Sequence, residues 1–384
     1  MKTVWKSRFK LFIGWMTLFV IGTDLFVVSP LLPLIAKNFH ISSVQAGWLV
    51  TVFSMAYVIG APVLGTLSDR VIRKKLIFAG LVCFAISNIL TGLSPSFLWL
   101  VISRMLAGLS AAAVTPSTYA ITGDEATENR RGAWLSIVGS GLLTALWAGA
   151  PIGLFIGTSY GWKTVFIILS VISMMTAFLN LIAWSKITKK LTAKQAKKKT
   201  SYANLATLLA ATRSTVLWGV AVYGLYTYLG TGLQSFAYPS AKIEAAIAVY
   251  GIGAVLGGIN GGTLADKFGA KKVDTVSLIC IGLSLIFISI SLSFTYLLFS
   301  ALVLFAFLGY AFFPAHQTRL VQNYPDQRGT FMAWNNSALY IGIALGSIMG
   351  GWVMSEWDFR ILPLVCAGIA FFGSALSTLS LKKI

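Results

Sequence analysis

Two side chains carry charge where charge is most costly. Asp24 sits near the middle of an apolar run at residues 11–35, and Arg104 sits inside another at 97–120. A carboxylate surrounded by hydrocarbon is expensive unless it is paired or lines a cavity, so an acid in this position is a functional candidate from the outset. A carboxyl poised between burial, which favours the neutral acid, and a nearby cation, which favours the anion, can exchange a proton as access to it changes. Arg104 lies about two turns inside its run, at a depth within roughly 6 Å of that of Asp24. The two can therefore pair through a shared cavity. The competing reading of Asp24 is a structural carboxylate held by backbone or hydroxyl groups.

The elements that must position these charges are long apolar helices. Of the 384 residues 57% are hydrophobic and only 11% charged, more apolar surface than a soluble fold of this length can hide. Runs of eighteen or more such residues recur along the chain, each able to cross about 30 Å of hydrocarbon. Twelve transmembrane helices are expected, at 11–35, 45–67, 75–94, 97–120, 133–157, 163–184, 214–236, 244–265, 273–293, 296–317, 330–352 and 359–380. The fold class is an all-α membrane protein embedded in the lipid bilayer.

The net charge of +19 suggests nucleic acid, but the basic residues punctuate apolar runs instead of forming one face, so no nucleic-acid partner is expected. With the N-terminus in the cytoplasm, only Lys37, Lys163, Lys242 and Arg360 fall outside, and Arg104 within a span. That bias places both termini in the cytoplasm of a multi-pass inner (plasma) membrane protein. The basic N-terminus, with Lys2, Lys6, Arg8 and Lys10 before a long first span, reads as a retained signal anchor. The longest polar stretch, 185–213, includes Lys197, Lys198 and Lys199 and reads as a cytoplasmic central loop between bundles at 1–184 and 214–384. Its alternative role is binding lipid headgroups. Cys83, Cys280 and Cys366 each fall in an apolar run and read as packing residues. His40 and His316 make no metal site, and neither a phosphate loop nor a catalytic triad is present. Neither an enzyme nor an ATP-driven pump is expected, and no cofactor.

The halves repeat at one offset of 197 positions. Gly65-Thr66-Leu67-Ser68-Asp69-Arg70 returns as Gly262-Thr263-Leu264-Ala265-Asp266-Lys267, and Lys74-Lys75 as Lys271-Lys272. Arg131-Gly132, Gly149 and Gly153 recur as Arg328-Gly329, Gly346 and Gly350. Parallel halves related by an axis along the membrane normal follow, and such repeats hold their substrate sites at the interface near the midplane. Adding the offset to Asp24 and Arg104 gives Ala221 and Ala301, so the two charges are not part of the repeated scaffold.

The segment Gly65-x-Leu67-x-Asp69-Arg70-x-x-Arg73-Lys74-Lys75 resembles the loop between the second and third helices of the major facilitator superfamily (MFS). The resemblance covers the whole chain and implies two pseudo-symmetric six-helix bundles. Thr23-Asp24-Leu25-Phe26-Val27-Val28-Ser29-Pro30-Leu31-Leu32-Pro33 is similar to the twelve-helix drug and metabolite proton antiporters, a group with sugar and multidrug efflux members. Arg104-x-x-x-Gly108 resembles the fourth-helix motif whose Arg is implicated in proton coupling. In the loop, Asp69 can accept from the N-terminal amides of a neighbouring helix, and Arg70 and Arg73 can pair with acids across the cytoplasmic gap. With Gly65, Asp266 and Lys267, these residues form a candidate conformational latch; a plain topology signal is the alternative.

Ala145, Gly149, Gly153 and Gly157, with Pro151 among them, stand at four-residue spacing and let two helices approach closely. They resemble the antiporters' fifth-helix signature, but Leu154 and Phe155 occupy positions where it has glycine. Tyr223, Tyr226, Gln234, Trp334, Asn335, Asn336 and Tyr340 mix aromatic faces with amides and are candidates for a substrate cavity; an aromatic belt at the membrane surface also accounts for some, especially Tyr238. Taken together, the expected function is secondary active transport by alternating access: proton-coupled efflux of a small organic solute or drug, by a monomer whose partners are protons and that small-molecule substrate. Uptake by symport or facilitated diffusion is the runner-up. A non-transporting receptor or a lipid-handling protein on the same scaffold is the third reading.

Overall fold

The computed structural model describes residues 2–127, 130–184 and 204–378, with backbone alone at 2–4, 65–70, 326, 328 and 329. Among the described residues there are twelve helices long and apolar enough to cross a membrane, and no strand. In chain order they are α1 (Lys2–Phe39), α2 (Ser43–Arg70), α3 (Arg73–Gly92), α4 (Phe97–Glu125), α5 (Arg131–Tyr160), α6 (Trp162–Ala183), α7 (Leu205–Ser235), α8 (Ser240–Phe268), α9 (Ala270–Ser291), α10 (Thr295–Asn323), α11 (Arg328–Glu356) and α12 (Ile361–Thr378). Only helices satisfy every backbone group internally where no water is present, which is why a chain of this hydropathy takes this form. Many helices run past the apolar core. α7 begins at Leu205, capped by the Asn204 side chain accepting from the Ala206 amide at 3.2 Å, so the expected central loop ends nine residues earlier than Arg213. The calls on 185–203 lie outside the described residues.

The chain forms two compact units, Met1–Leu34 with Val52–Lys199, and Ile35–Thr51 with Thr200–Ile384. In the first unit, glycines bring α5 against α1. A Cβ on Gly141 would fall 2.3 Å from the Trp15 carbonyl oxygen, on Gly149 2.3 Å from Thr23 Oγ1, on Gly153 2.3 Å from Val27 Cγ2, and on Gly157 2.4 Å from Leu31 Cδ2. Each pair differs by 126 in sequence number, which is the signature of two parallel helices in one fixed register. A π turn at Ala145–Gly149 lies on this seam. The second unit has the same device between α7 and α11. Gly342, Gly346 and Gly350 face the carbonyls of Val216, Val220 and Gly224 at 2.6, 2.9 and 3.0 Å from their would-be Cβ atoms, again 126 apart. Small residues allow this approach because lipid gives helices no hydrophobic drive to associate, leaving close packing to hold them.

Candidate functional site

The first unit brings Asp24 and Arg104 together. Arg104 Nη1 donates to Asp24 Oδ1 at 2.7 Å, and Nη2 to Oδ2 at 2.8 Å. The carboxylate is 0% exposed and the guanidinium 1%. The planar fork of Arg matches both carboxylate oxygens, a geometry Lys cannot reproduce. The guanidinium carbon also lies 4.9 Å from the centre of the Phe53 ring and 5.7 Å from that of Phe166, so aromatic faces complete its shell. Its Nε is buried without a hydrogen-bond partner.

Each element that positions the pair has a local reason. One turn after Arg104, Gly108 lets α4 touch α2: a Cβ there would fall 2.2 Å from the Phe53 carbonyl oxygen. That contact sets the Phe53 ring beside the guanidinium. On the other side, Thr23 and Val27 flank Asp24 and meet Gly149 and Gly153, so α5 fixes the height and rotation of the acid. The glycines among the packing candidates, Gly149, Gly153 and Gly157, therefore bear on the charged pair through α1.

The latch candidates divide. Arg73, on the first turn of α3, forms an ion pair with Asp124 near the end of α4, inside its own unit. The acid lies on the next helix of the same unit, and both residues sit at the same end of these adjacent helices. Nearby, Lys10 Nζ reaches Glu125 Oε2 at 2.6 Å, and Lys74 Nζ lies 3.4 Å from the carbonyls of Leu181 and Trp184. Lysine at a helix C-terminus satisfies carbonyls that lack an amide. Gly65, Asp69 and Arg70 stand on the last turns of α2, and their side chains lie outside the described part. Asp266 and Lys267 are exposed, Lys267 over the Phe268 ring at 5.4 Å.

The cavity candidates do not gather at one place. Tyr223 and Tyr226 are buried with Tyr250 and Tyr310, at ring separations of 6.5 Å for Tyr223–Tyr226, 5.1 Å for Tyr226–Tyr250 and 6.3 Å for Tyr250–Tyr310. Trp218 adjoins them, 6.0 Å from Tyr223, and its Nε1 donates to the Gly309 carbonyl at 2.7 Å. Tyr340 is buried on α11. Asn335 instead accepts from Thr215 Oγ1 at 2.5 Å and ties α11 to α7. Trp334 packs on the Leu208, Ala211, Leu320 and Phe331 cluster, while Gln234 and Asn336 are exposed. Tyr238 donates to the Leu292 carbonyl at 3.0 Å. The reading of the sequence also passed over Asp274, Arg319 and the role of His316, which form a buried cluster in the second unit. The available signal was Asp274 itself, an acid inside an apolar span.

The sequence pattern of the Major Facilitator Superfamily matches residues 14–241 and again 205–383. The chain belongs to the Major Facilitator Superfamily. Among MFS relatives, the transporter YceJ of Bacillus subtilis is 29% identical over 356 residues, covering 90% of this chain and 89% of that one. The inner membrane transport protein YdhP of Escherichia coli K12 is 28% identical, covering 95% and 94%. The multidrug resistance protein MdtG of Escherichia coli is 28% identical, covering 99% and 95%. A crystallised bacterial homologue of the human lysosomal transporter Spinster superposes with a TM-score of 0.76 at 18% identity, covering 97% and 96%, and shares the fold. The chain is thus a multi-pass MFS transport protein.

Proposed function

We propose that this MFS protein exports a small organic solute in exchange for protons by alternating access, as a monomer in the cell membrane with both termini in the cytoplasm. The observation that carries the reading is the dry, bidentate Asp24–Arg104 pair. Arg104 occupies both carboxylate oxygens, so a proton can be placed there only by displacing one of its two hydrogen bonds. A cycle that alternately closes and opens the pair converts proton binding into a conformational preference. The absence of both charges from the repeat-related positions, Ala221 and Ala301, supports a role beyond scaffolding. The name of MdtG supports export of drug-like solutes. The tyrosine cluster on α7, α8 and α10 offers π faces and hydroxyls suited to an amphipathic organic cation.

The test is proton movement in proteoliposomes. A pH gradient is imposed, organic cations are added in turn, and wild type is compared with Asp24→Asn. Collapse of the gradient on addition of a solute, lost in the variant, is the expected result. Solute flux in both proteins that ignores the gradient would replace the proposal with facilitated diffusion.

A further inference from the structure

A second buried charged cluster lies where α9, α10 and α12 meet. Asp274, on the second turn of α9, is 0% exposed. Its Oδ2 takes three donors: His316 Nδ1 at 3.1 Å, Ser377 Oγ at 3.3 Å, and a close contact from Arg319 Nη1. Arg319 also donates to Ser377 Oγ at 2.7 Å and to the Ser377 carbonyl at 3.2 Å. Thr275 Oγ1 and Ser377 Oγ are 3.1 Å apart. The His316 ring, 2% exposed, stacks on Phe312 at 5.3 Å.

The bonding fixes the chemistry. Arg319 carries a permanent positive charge and already balances Asp274. An ionised carboxylate only accepts, so His316 carries its proton on Nδ1 and donates a hydrogen bond to Oδ2. The other nitrogen, Nε2, is then a lone pair, and it is buried with no hydrogen-bond partner; Asp274 Oδ1 is in the same condition. Two buried polar atoms of one network thus lack a hydrogen-bond partner, and each such group calls for an explanation.

Among the described residues, the surroundings add no competing charge in the core of the cluster. α8 presents Ala265 and Leu264 to Ala270, Val273 and Ala315, with Asp266 and Lys267 exposed. Lys271 and Lys272 are exposed on the first turn of α9. On α7, Arg213 donates to the Leu376 carbonyl at 2.7 Å; α11 turns Phe331 to Leu320; α12 supplies the Ser377 hydroxyl and carbonyl, and Tyr324 lies beside Arg319. The cluster is also no part of the repeat. Subtracting 197 from Asp274, His316, Arg319 and Ser377 gives Ile77, Tyr119, Thr122 and Asn180, none of them charged.

We propose that Asp274 and His316 form a second proton-binding site, reached from the end of the second unit where α9 begins and α10 ends, whose protonation tightens the ends of α9, α10 and α12. His316 lies seven residues before the end of α10, about 10 Å inside it, and Asp274 about 6 Å inside the start of α9, so the path is short. Imidazole is the side chain whose charge changes between about pH 5 and 8. Adding a proton to Nε2 makes the donor of the Nδ1–H···Oδ2 bond a cation, so that the bond then joins two ions. On the export reading, which this consequence rests on, protons carried inward would slow their own further entry.

The experiment reads the site without transport. The chain has only two histidines, His40 and His316, so full-length His40→Gln protein labelled with 15N-histidine reports one ring. The expected result is uptake of a proton at Nε2 during a titration from about pH 8 to 5, altered by Asp274→Asn. A ring that keeps one charge state across that range overturns the proposal. Hydrogen exchange of peptides from 270–278 and 312–323, corrected for intrinsic pH dependence, should slow by about fivefold or more on acidification, and His316→Gln should remove that response. Equal responses in both proteins overturn the tightening. Should His316→Gln fail to fold, the ring titration in His40→Gln protein still decides. Because neither readout involves solute flux, a failure of proton-coupled export leaves both results interpretable.

Discussion

Arg104 holds Asp24 through both terminal nitrogens, at 2.7 and 2.8 Å, with the two side chains almost wholly sealed from solvent. The first prediction follows from that seal. Removing either partner strands an uncompensated charge, a loss of about 3–5 kcal/mol. Asp24→Asn and Arg104→Gln should each lower the melting temperature in detergent, and the double variant should lose much less than the sum of the two. Additive losses would mean that the charges do not interact. Arg104→Lys should behave as a loss, because an ammonium cannot span both oxygens.

The glycine seam predicts a graded series on α5. Gly149→Val and Gly153→Val must displace Thr23 and Val27, whose atoms lie 2.3 Å from the would-be Cβ positions. Overpacking of this kind costs about 1–3 kcal/mol. Gly123→Ala and Gly132→Ala, where nothing lies within 4 Å, should stay within about 0.5 kcal/mol of wild type. Thermal melting of the four proteins side by side checks the series; equal behaviour would remove the seam from any account of the site.

For Arg73 and Asp124 the prediction is a small stability effect. Both side chains are about a quarter exposed, and pairs of this kind contribute roughly 0–1 kcal/mol. Arg73→Asp should impair transport in proteoliposomes by placing like charges together, and adding Asp124→Arg should restore most of the rate. Failure of the swap, with both proteins folded, would assign Arg73 a partner other than Asp124.

In the tyrosine cluster, removing a hydroxyl and removing a ring should differ. Tyr226→Phe keeps the π face and should leave half-saturation for an organic cation nearly unchanged. Tyr226→Leu should raise it by about thirtyfold, the value of one desolvated cation–π contact. Equal effects from the two variants would count against ring-face recognition.

The twelve spans were legible because crossing a bilayer demands long apolar runs, and Asp24 and Arg104 stood out because each interrupts one. Helix ends were less legible. Past the apolar core a helix needs no hydrophobic residue, so nothing before residue 214 marked the start of α7 at Leu205. The same boundary error hid the second charged cluster. Arg319 lay just beyond the expected end of its span and read as a topology signal, although α10 continues to Asn323 and buries it against α9 and α12. Partners such as Arg73 and Asp124 are 51 residues apart, and only tertiary packing brings them together. The cavity candidates were chosen by residue type alone, which cannot tell a buried ring such as Tyr226 from an exposed amide such as Gln234.

The constant interval of 126 along both seams has a mechanical consequence. Backbone and side chain interlock at every step of four residues, so α1 cannot slide along α5 by a fraction of a turn; the next fit lies about 6 Å away. The same holds for α7 on α11. Each pair is a toothed rail. Any displacement that separates Asp24 from Arg104 must carry α5 along with α1, or else move α4 away from both.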